Sequence, residues 1–304
     1  MLNGLLIEPN TQTAEARPRA AYSEEQGATA GPLETIIRPP NGWHLVNARE
    51  LWRYRELLGF LIWRDVKIRY KQTVLGVAWA VLQPLMMMAV FTVFFGRLAG
   101  LPSGDVPYPL FAFAGLLPWM FFSTALASAG GSIVANERLV TKTYFPRLTI
   151  PFAAVGAAAV DFCIAFGLLL ILMLGYGVAP AWSMLFVPVI FVVIAIGAIG
   201  FGTLLAALNV KYRDFRYVIP FMVQFWMFAT PTVYMQPPAD AGGTLHTLLN
   251  LNPLTGLIAS FRAACLGTPI PWGQFALSAG FVCVVLVAGC LYFRKAEDEF
   301  ADVI

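Results

Sequence analysis

Six apolar stretches, each about 20 residues long, alternate with short polar segments along most of the chain. An α-helix rises ~1.5 Å per residue, so about 20 apolar residues are enough to cross a hydrocarbon layer of ~30 Å. The stretches are 75–96, 108–132, 150–174, 184–208, 218–236 and 273–293. The pattern predicts an all-α, polytopic membrane protein with about six transmembrane helices.

The segment 46–74, which precedes the first apolar stretch, carries its charges in a helical pattern. On a helical wheel, Arg64, Lys67 and Lys71 share one narrow face, and a set of aliphatic side chains lies broadly opposite. A helix of this kind lies in the membrane interface, with its cations toward anionic lipid headgroups. Arg69 interrupts the apolar side, which indicates a bend or a contact with protein. A solvated basic helix before a membrane anchor is the alternative.

Composition and charge exclude several classes and give an orientation. At 59% hydrophobic and 12% charged, the chain has more apolar surface than a soluble domain of 304 residues buries. Of the 20 Lys and Arg residues, fifteen belong on one side of a six-span topology, two (Arg97 and Arg262) on the other, and three in the amino-terminal tail. The positive-inside rule then predicts a multi-pass protein with both termini in the cytoplasm. A net charge of +3 leaves no basic patch for nucleic acid.

Residues 1–45 are rich in Pro, Ala, Thr, Glu and Gly, and they lack the basic start and long apolar core of a cleaved signal peptide. They are predicted to form a flexible cytoplasmic tail. The predicted organisation is therefore a tail (1–45), an amphipathic interface helix (46–74) and a transmembrane domain (75–304).

No catalytic motif is visible in the sequence. The chain has only two histidines and lacks GxSxG, HExxH and a Walker loop that ends in Gly-Lys-Ser/Thr. Its four cysteines have no CxxC spacing, which argues against a disulfide or a metal site. We therefore expect no enzyme activity, no metal and no cofactor on this chain.

Asp161 is the one charged residue inside the six apolar stretches. An acid at membrane depth is by default a candidate functional residue, for example in a proton pathway. The alternative is a polar contact between helices, with a partner such as Thr203 or Gln83. A single acid without a charged relay is a poor proton pathway, so packing is the favoured interpretation.

The segment 136–147 mixes charged residues with apolar ones, which a solvated loop does not need. The mixture is typical of a short helix that docks into a groove of a cytoplasmic partner, with Glu137 and Arg138 setting the register. A loop that only lies on lipid headgroups is the alternative. The candidate docking residues are Asn136, Glu137, Arg138, Lys142, Tyr144, Phe145 and Arg147.

The last predicted outward loop, about 237–272, is long and apolar, and part of it has helical spacing. Pro253 suits a first helical turn, so we expect a re-entrant helix around 253–262 and another near 243–249. Apolar constrictions close membrane pores by dewetting, so the first of these helices is predicted to seal an outward mouth. The residues of this gate are Leu254, Leu257, Ile258 and Phe261, with Arg262 anchored at the headgroups.

Four segments, taken together, resemble one family of membrane proteins. They are RDVKIRYKQTVLG at 64–76 with Trp79 and Gln83-Pro84 after it, YPLF to GLLPW over 108–119, KTYFPR at 142–147, and NPL to FR over 252–262. In this order they resemble the type 2 ATP-binding-cassette (ABC) permeases that export O-antigen and related surface polysaccharides. The resemblance covers roughly 40–300.

The resemblance implies the remaining parts of an exporter. Such permeases are homodimers of six-helix subunits, and each subunit binds a separate ATPase chain that holds ATP and Mg. For this chain it implies an interface helix (50–72), a coupling helix that contacts the ATPase (136–147), re-entrant helices (240–268) and a pore at or near the subunit interface. The implied substrate is a polyprenyl-pyrophosphate-linked glycan, moved from the cytoplasm to the periplasm across the bacterial inner membrane.

Aromatic residues make up 14% of the chain, and many lie near the predicted outward ends of the helices. Most of them suit an interfacial belt. Rings also stack on sugar faces and leave a sliding polymer few deep energy wells, which makes some of them candidates for a glycan path. The candidates are Tyr108, Phe111, Trp119, Trp226 and Tyr234.

Three other functions remain open from the residues. A type 2 ABC permease for capsule, teichoic acid or another lipid shares the predicted architecture. A proton-coupled secondary transporter would rely on Asp161. A membrane-embedded glycan enzyme would need a paired acid and base in a cleft, and no such pair is visible.

Overall fold

The computed structural model describes residues 52–71, 76, 78–102, 104, 106–235, 249, 251–297 and 300. This part of the chain is built from helices, and no strand occurs in it. The α-helices are α1 (Arg55–Lys71), α2 (Ala78–Phe91), α3 (Tyr108–Ala135), α4 (Glu137–Lys142), α5 (Thr149–Gly175), α6 (Val187–Lys211), α7 (Phe215–Phe228), α8 (Pro253–Leu266) and α9 (Trp272–Glu297). The predicted tail, 1–45, lies outside the described residues.

Among the residues described, five helical segments are long and apolar enough to cross a membrane. One is α2 together with the π-helix Thr92–Leu98 that continues it, and another is α6 with the short 3₁₀ helix Trp182–Phe186 before it. The other three are α3, α5 and α9. The all-α, polytopic class is confirmed, and five of the six predicted stretches fall on these segments.

The sixth predicted stretch, 218–236, is not one long helix. It contains most of α7, which has 14 residues and is therefore about 21 Å long, too short to cross a ~30 Å hydrocarbon layer. The chain turns after Phe228, where Pro231 has no N–H to give to a helix and restricts the residue before it. The chain then continues as a turn in which Thr232 and Val233 are buried, and this turn reaches Tyr108 at the beginning of α3.

Helix α3 lies at the centre of the bundle. Of the 18 most apolar consecutive residues of α3, 78% are buried inside the protein, against 33% or less for each of the other four long segments. It packs against α5 and α6, while α9 packs on α6 and α1 packs along α5. Small buried residues such as Ala114, Ala125 and Ala129 let the neighbouring helices approach α3 closely. The outer helices keep aliphatic faces exposed, which suits contact with lipid tails.

Helix α8 begins and ends at signals that are visible in the sequence. Asn252 accepts a hydrogen bond from a first-turn backbone N–H at 3.1 Å, Pro253 occupies the first turn, and Gly267 follows the last turn with a φ of 75°. The helix predicted around 253–262 is therefore present and slightly longer. The helix predicted near 243–249 falls almost entirely outside the described residues.

The contact between α6 and α9 depends on two glycines that face each other. A Cβ atom at Gly289 would lie 2.3 Å from the carbonyl oxygen of Gly200, and one at Gly200 would lie 2.7 Å from the backbone nitrogen of Leu286. Neither backbone can shift away without moving its whole helix. The two helices are thus as close as their main chains allow.

Gly289→Ala should destabilise the subunit, because even a methyl group would meet the Gly200 carbonyl oxygen. Overpacking of this kind costs roughly 1–3 kcal/mol, which should lower the unfolding temperature of the purified protein in detergent by a few degrees. Gly280→Ala on the same helix is the matched control, because no described atom lies within 4 Å of its Cβ position. Equal unfolding temperatures for the two variants would contradict the assigned contact.

Candidate functional site

The two ends of the helix bundle carry different sets of polar contacts. We name the α4 end after the short helix that joins α3 to α5 there. The α8 end is the one at which α8 packs beside the beginning of α3. Helix α3 has 28 residues, so the two ends lie about 40 Å apart along its axis.

The predicted docking segment 136–147 is divided between the surface and the subunit interior. Tyr144 is 78% exposed, whereas Phe145 beside it is 6% exposed and packs in an apolar cluster with Leu148 and Phe293. A partner can contact only the exposed part. The exposed candidates are Glu137, Arg138, Lys142 and Tyr144.

Arg147 holds the end of this segment to α9. Its backbone N–H donates to Glu297 Oε1 at 3.3 Å, and its Nη1 donates to the carbonyl oxygen of Glu297 at 2.5 Å. Its guanidinium carbon also lies 6.0 Å from the centroid of the Phe300 ring. Arg147 and Phe145 therefore contact their own subunit and are not available to a docking partner. The charge pattern did not reveal this, because it does not show which side chains turn inward.

Asn136 connects three helices. It follows α3 and precedes α4, and its Nδ2 donates to the carbonyl oxygen of Ser132 at 2.8 Å. Its Oδ1 accepts a hydrogen bond from Arg64 Nη2 of α1, also at 2.8 Å. A predicted docking residue and a predicted interface-helix residue therefore meet at the α4 end.

Asp161 of α5 is paired with two consecutive residues of α1. The guanidinium group of Arg69 forms an ion pair with Asp161 Oδ2, and the Tyr70 hydroxyl donates to Oδ1. Burial raises the pKa of Tyr70 above its ordinary value, so the hydroxyl keeps its proton and can donate. Of the four cations assigned to the interface helix, Lys67 and Lys71 are exposed, while Arg64 and Arg69 bind polar side chains of the subunit.

The partners predicted for Asp161 were therefore wrong. Thr203 donates instead to the carbonyl oxygen of Gly200 at 3.0 Å, and Gln83 is exposed. The signal that points to the true partner is Arg69, the cation that interrupts the apolar side of α1. That side packs along α5, a contact between distant parts of the chain that helical spacing does not reveal.

The side chains predicted to seal an outward mouth lie in the core of the subunit. Leu254, Leu257 and Phe261 are 0% exposed and Ile258 is 1% exposed. Phe261 packs edge-on against Phe162 of α5, with ring centroids 5.8 Å apart. These four side chains are therefore enclosed by their own subunit, and the gate assigned to them stays a prediction that this packing does not support. Helical spacing showed that they share a face but not what covers it.

Arg262, predicted to reach the headgroups, points into the protein instead. Its guanidinium carbon lies 4.0 Å from the centroid of the Phe111 ring, in a cation–π contact. Its Nη2 donates to the carbonyl oxygens of Pro231, at 3.0 Å, and of Thr232. Gly115 leaves room for this approach, since a Cβ atom there would lie 2.0 Å from the Thr232 oxygen. Burial lowers the pKa of Arg262 to about 10, so the guanidinium stays charged at neutral pH.

Asn252 binds the same turn, residues 229–233, from the other end of α8. Its side-chain amide donates to the carbonyl oxygen of Ala229 at 3.1 Å and to the hydroxyl of Thr230 at 2.8 Å. Its Oδ1 also accepts a hydrogen bond from Trp226 Nε1 at 3.0 Å. One side chain thus caps α8 and fixes the last turn of α7.

Tyr108, at the beginning of α3, supplies a third contact. Its hydroxyl donates to the carbonyl oxygen of Val233 at 2.7 Å. We name Tyr108, Asn252 and Arg262 the turn clamp. Through it, the turn 229–233 joins the ends of α3, α7 and α8 into one unit.

The aromatic residues predicted for a glycan path are mostly used inside the subunit. Phe111 and Trp119 are buried, and Tyr108 and Trp226 use their polar atoms in and around the turn clamp. Tyr234 alone lies beyond these contacts, half-exposed after the turn. The first four therefore take part in packing within the subunit.

Exposed rings on α7 form a face that the sequence analysis missed. Tyr217, Phe221, Phe225 and Phe228 are between 63% and 73% exposed. They follow one another at intervals of four, four and three residues, which places them on one side of the helix. We name them the α7 aromatic face. The spacing was visible in the sequence, but three of the four rings lay inside the stretch 218–236, which was interpreted as a plain membrane span.

The residues described hold no group of three or more His, Cys, Asp or Glu side chains that could bind a metal ion. The cysteines are free, with Cys163 and Cys283 exposed and Cys265 and Cys290 buried.

Arg262→Met should loosen the turn 229–233, because the turn loses a charged donor that lipid cannot replace. Opening can be followed with Val233→Cys in a background where Cys163 and Cys283 are serine, through the rate of reaction with a water-soluble maleimide. Val233 is 5% exposed, so this rate should be low with Arg262 present. We expect it to rise about tenfold in the variant, which corresponds to local opening made ~1.4 kcal/mol easier.

Arg97→Met is the matched control, since Arg97 is exposed near the same end of the bundle. It removes an equal charge without touching the turn. A maleimide rate that is the same in both variants would show that the turn does not depend on Arg262.

Comparison with known proteins gives a consistent relationship. Residues 56–266 match the family described as ABC-2 type transporter. The chain is 31% identical over 258 residues to the O-antigen export system permease protein RfbA of Myxococcus xanthus, which covers 84% of this chain and 98% of that protein. A protein of the same name from Klebsiella pneumoniae is 25% identical over 252 residues, covering 82% and 95%. The polysialic acid transport protein KpsM of Escherichia coli is 23% identical over 243 residues, covering 78% and 92%.

The matched region runs from the first turn of α1 to the last residue of α8. It therefore includes α4, the pairing of α1 with α5, and all three residues of the turn clamp. It also covers well over half of the 304 residues. The chain belongs to the ABC-2 type transporter family.

Proposed function

We propose that this chain is the membrane-spanning permease subunit of an ATP-driven exporter of O-antigen-type polysaccharide. The observation that carries the proposal is the 31% identity to an O-antigen export permease over 98% of that protein's length. A family of ABC transporters needs an ATPase, and we propose that two ATPase subunits, which hold ATP and Mg, bind a homodimer of this chain. The substrate we propose is a polyprenyl-pyrophosphate-linked glycan.

The α4 end is proposed to face the cytoplasm of a bacterium, with the protein in the inner membrane. Cations gather at this end, in and after α4, after α6 and at the end of α9. At the α8 end, the cations of the described residues are Arg97 and Arg262. By the positive-inside rule this distribution supports export from the α4 end toward the α8 end, with both chain termini in the cytoplasm.

Helix α4 is the proposed contact with the ATPase. The exposed candidates in α4 and just after it combine an acid, two cations and an aromatic ring, which gives a partner both charge and apolar area to recognise. The buried Val140 and Phe145 fix the helix to the subunit, so a displacement of α4 by the ATPase also displaces the bundle. The residues proposed for the contact are Glu137, Arg138, Lys142 and Tyr144.

The α7 aromatic face is the proposed glycan path in place of the buried rings. From Tyr217 to Phe228 it extends about 16 Å, which is part of the roughly 40 Å between the two ends, and it runs toward the turn clamp that follows Phe228. Most of the large apolar side chains exposed on α5, α6 and α9, such as Leu174, Val189 and Leu277, are aliphatic and suit lipid. A face of rings suits sugars instead, and a second copy of the chain would supply the opposite wall.

The proposed substrate class can be tested in a bacterium that carries the gene. Deletion should remove an O-antigen-type polysaccharide from the cell surface while the same polymer accumulates inside, as measured by blots of intact and lysed cells. Similarity to the polysialic acid transport protein KpsM favours another surface polysaccharide as the second candidate, and we take capsule as its example. Loss of capsule with unchanged O-antigen would select that candidate, and no change in either polymer would refute export of a surface glycan.

In the deletion strain, Phe225→Ala should restore at most about a third of the surface polysaccharide, because a sugar loses one ring on which it stacks. Phe281→Ala is the matched control, since Phe281 is an exposed ring on α9, outside the α7 aromatic face. Both variants should be present in the membrane in equal amounts. Equal restoration by both would remove the α7 aromatic face from the path.

Tyr144→Ala should reduce the amount of ATPase that co-purifies with the membrane subunit by about tenfold, as expected when an exposed ring acts as an interface anchor. Tyr176→Ala is the matched control, because this tyrosine is also exposed but lies at the opposite end of α5. Unchanged co-purification with Tyr144→Ala would exclude this ring from the contact.

A further inference from the structure

Helix α1 is attached to the bundle at two polar points that lie on different neighbours. Arg64 binds Asn136 at the junction of α3 and α4. Arg69 and Tyr70, one to two turns further along α1, bind Asp161 in the middle of α5. The two points lie on the two sides of α4 along the chain.

The first point is held in a fixed orientation. Arg64 Nε and Nη2 both donate to Asp65 Oδ1, at 2.9 and 2.7 Å, so the guanidinium plane is fixed by its neighbour. The same Nη2 reaches Asn136 Oδ1 at 2.8 Å. Asn136 binds the last turn of α3 and immediately precedes α4. Its hydrogen bond with Arg64 therefore attaches α1 to the start of α4.

Just before the first point, α1 packs closely on α5. Leu61 is buried, and Ile62 fills the space above Gly156 of α5, where a Cβ atom would come within 2.6 Å of Ile62 Cδ1. A helix packed in this way cannot slide or roll along α5 without losing these contacts. From Arg64 to Arg69, α1 then continues as regular helix for about 7.5 Å between the two polar points.

The direct connection from α4 to α5 contains no helix. After Lys142 the chain is extended at Thr143 and remains without regular helix until Thr149. Helix α1 offers a second connection between these elements, through 17 residues with continuous internal hydrogen bonds.

We propose that α1 is a strut that makes the beginning of α4 and the middle of α5 move together, with Arg64, Arg69 and Asp161 as its positioning residues. The inference rests on the proposed function, in which α4 receives the movement of the ATPase. A shift of α4 would pass through Asn136 to Arg64, along α1, and through Arg69 to Asp161. The long helix α5 would then move with each ATP cycle.

The test compares export with ATP hydrolysis in the complete complex. Surface polysaccharide is measured in the deletion strain, and MgATP hydrolysis is measured on the purified complex with its ATPase. We expect Arg64→Met to lower the ratio of export to hydrolysis at least fivefold while the ATPase still co-purifies. The matched control is Lys67→Met, which removes an exposed cation of the same helix that has no hydrogen-bond or ion-pair partner within the described residues.

The second point is tested by exchanging its charges. Arg69→Asp and Asp161→Arg should each lower the ratio of export to hydrolysis at least fivefold. The double variant should recover at least half of the original ratio, because the ion pair forms again with reversed polarity. Contacts that only stabilise the fold would lower the amount of protein and the unfolding temperature without changing the ratio.

The outcomes separate the strut from the proposed function. If the unmodified complex exports no surface glycan, the proposed function fails. If it exports and Arg64→Met keeps the ratio of Lys67→Met, the strut is refuted. It is equally refuted if the charge-exchanged double variant remains as low as the single variants while folded and assembled.

Discussion

Hydrogen bonding to a broken stretch of chain is the constraint on which the α8 end of the subunit depends. The chain turns at 229–233 inside a long apolar run, and lipid offers no partner for the carbonyl groups that the turn frees. The turn clamp supplies these partners from α3, from α8 and from the residue that caps α8. The start of α3, the end of α7 and the position of α8 are therefore fixed together.

The fold was predictable to the extent that the bilayer itself imposes it. The length of the apolar stretches expresses the thickness of the hydrocarbon layer, so five long helices and the class follow from the sequence. The start and end of α8 follow from local chemistry at Asn252, Pro253 and Gly267. The prediction of one transmembrane helix over 218–236 failed because a buried turn is as apolar as a helix, and hydropathy does not distinguish them.

The candidate sites were less predictable, for a different physical reason. Helical spacing shows which residues share a face, and it gave the same signal for Leu257 and Phe261 as for Phe221 and Phe225. The first pair is enclosed by the subunit and the second is exposed. Arg69 and Asp161 lie 92 positions apart, so only the packing of α1 on α5 brings them together. Both residues stood out in the sequence, as a cation on an apolar helix side and an acid inside an apolar stretch. The role of each is explained only by its contact with the other.

The pairing of α1 with α5 also has a consequence for how the protein is made. Synthesis proceeds from the amino terminus, so Arg69 leaves the ribosome before Asp161 does. A carboxylate at the centre of a helix opposes insertion by about 2.5–3.5 kcal/mol. A cation already waiting at the membrane surface offsets part of that cost when α5 enters. The order of charges along the chain thus favours biogenesis. A chain that lacks α1 would deliver an unpaired acid to the bilayer.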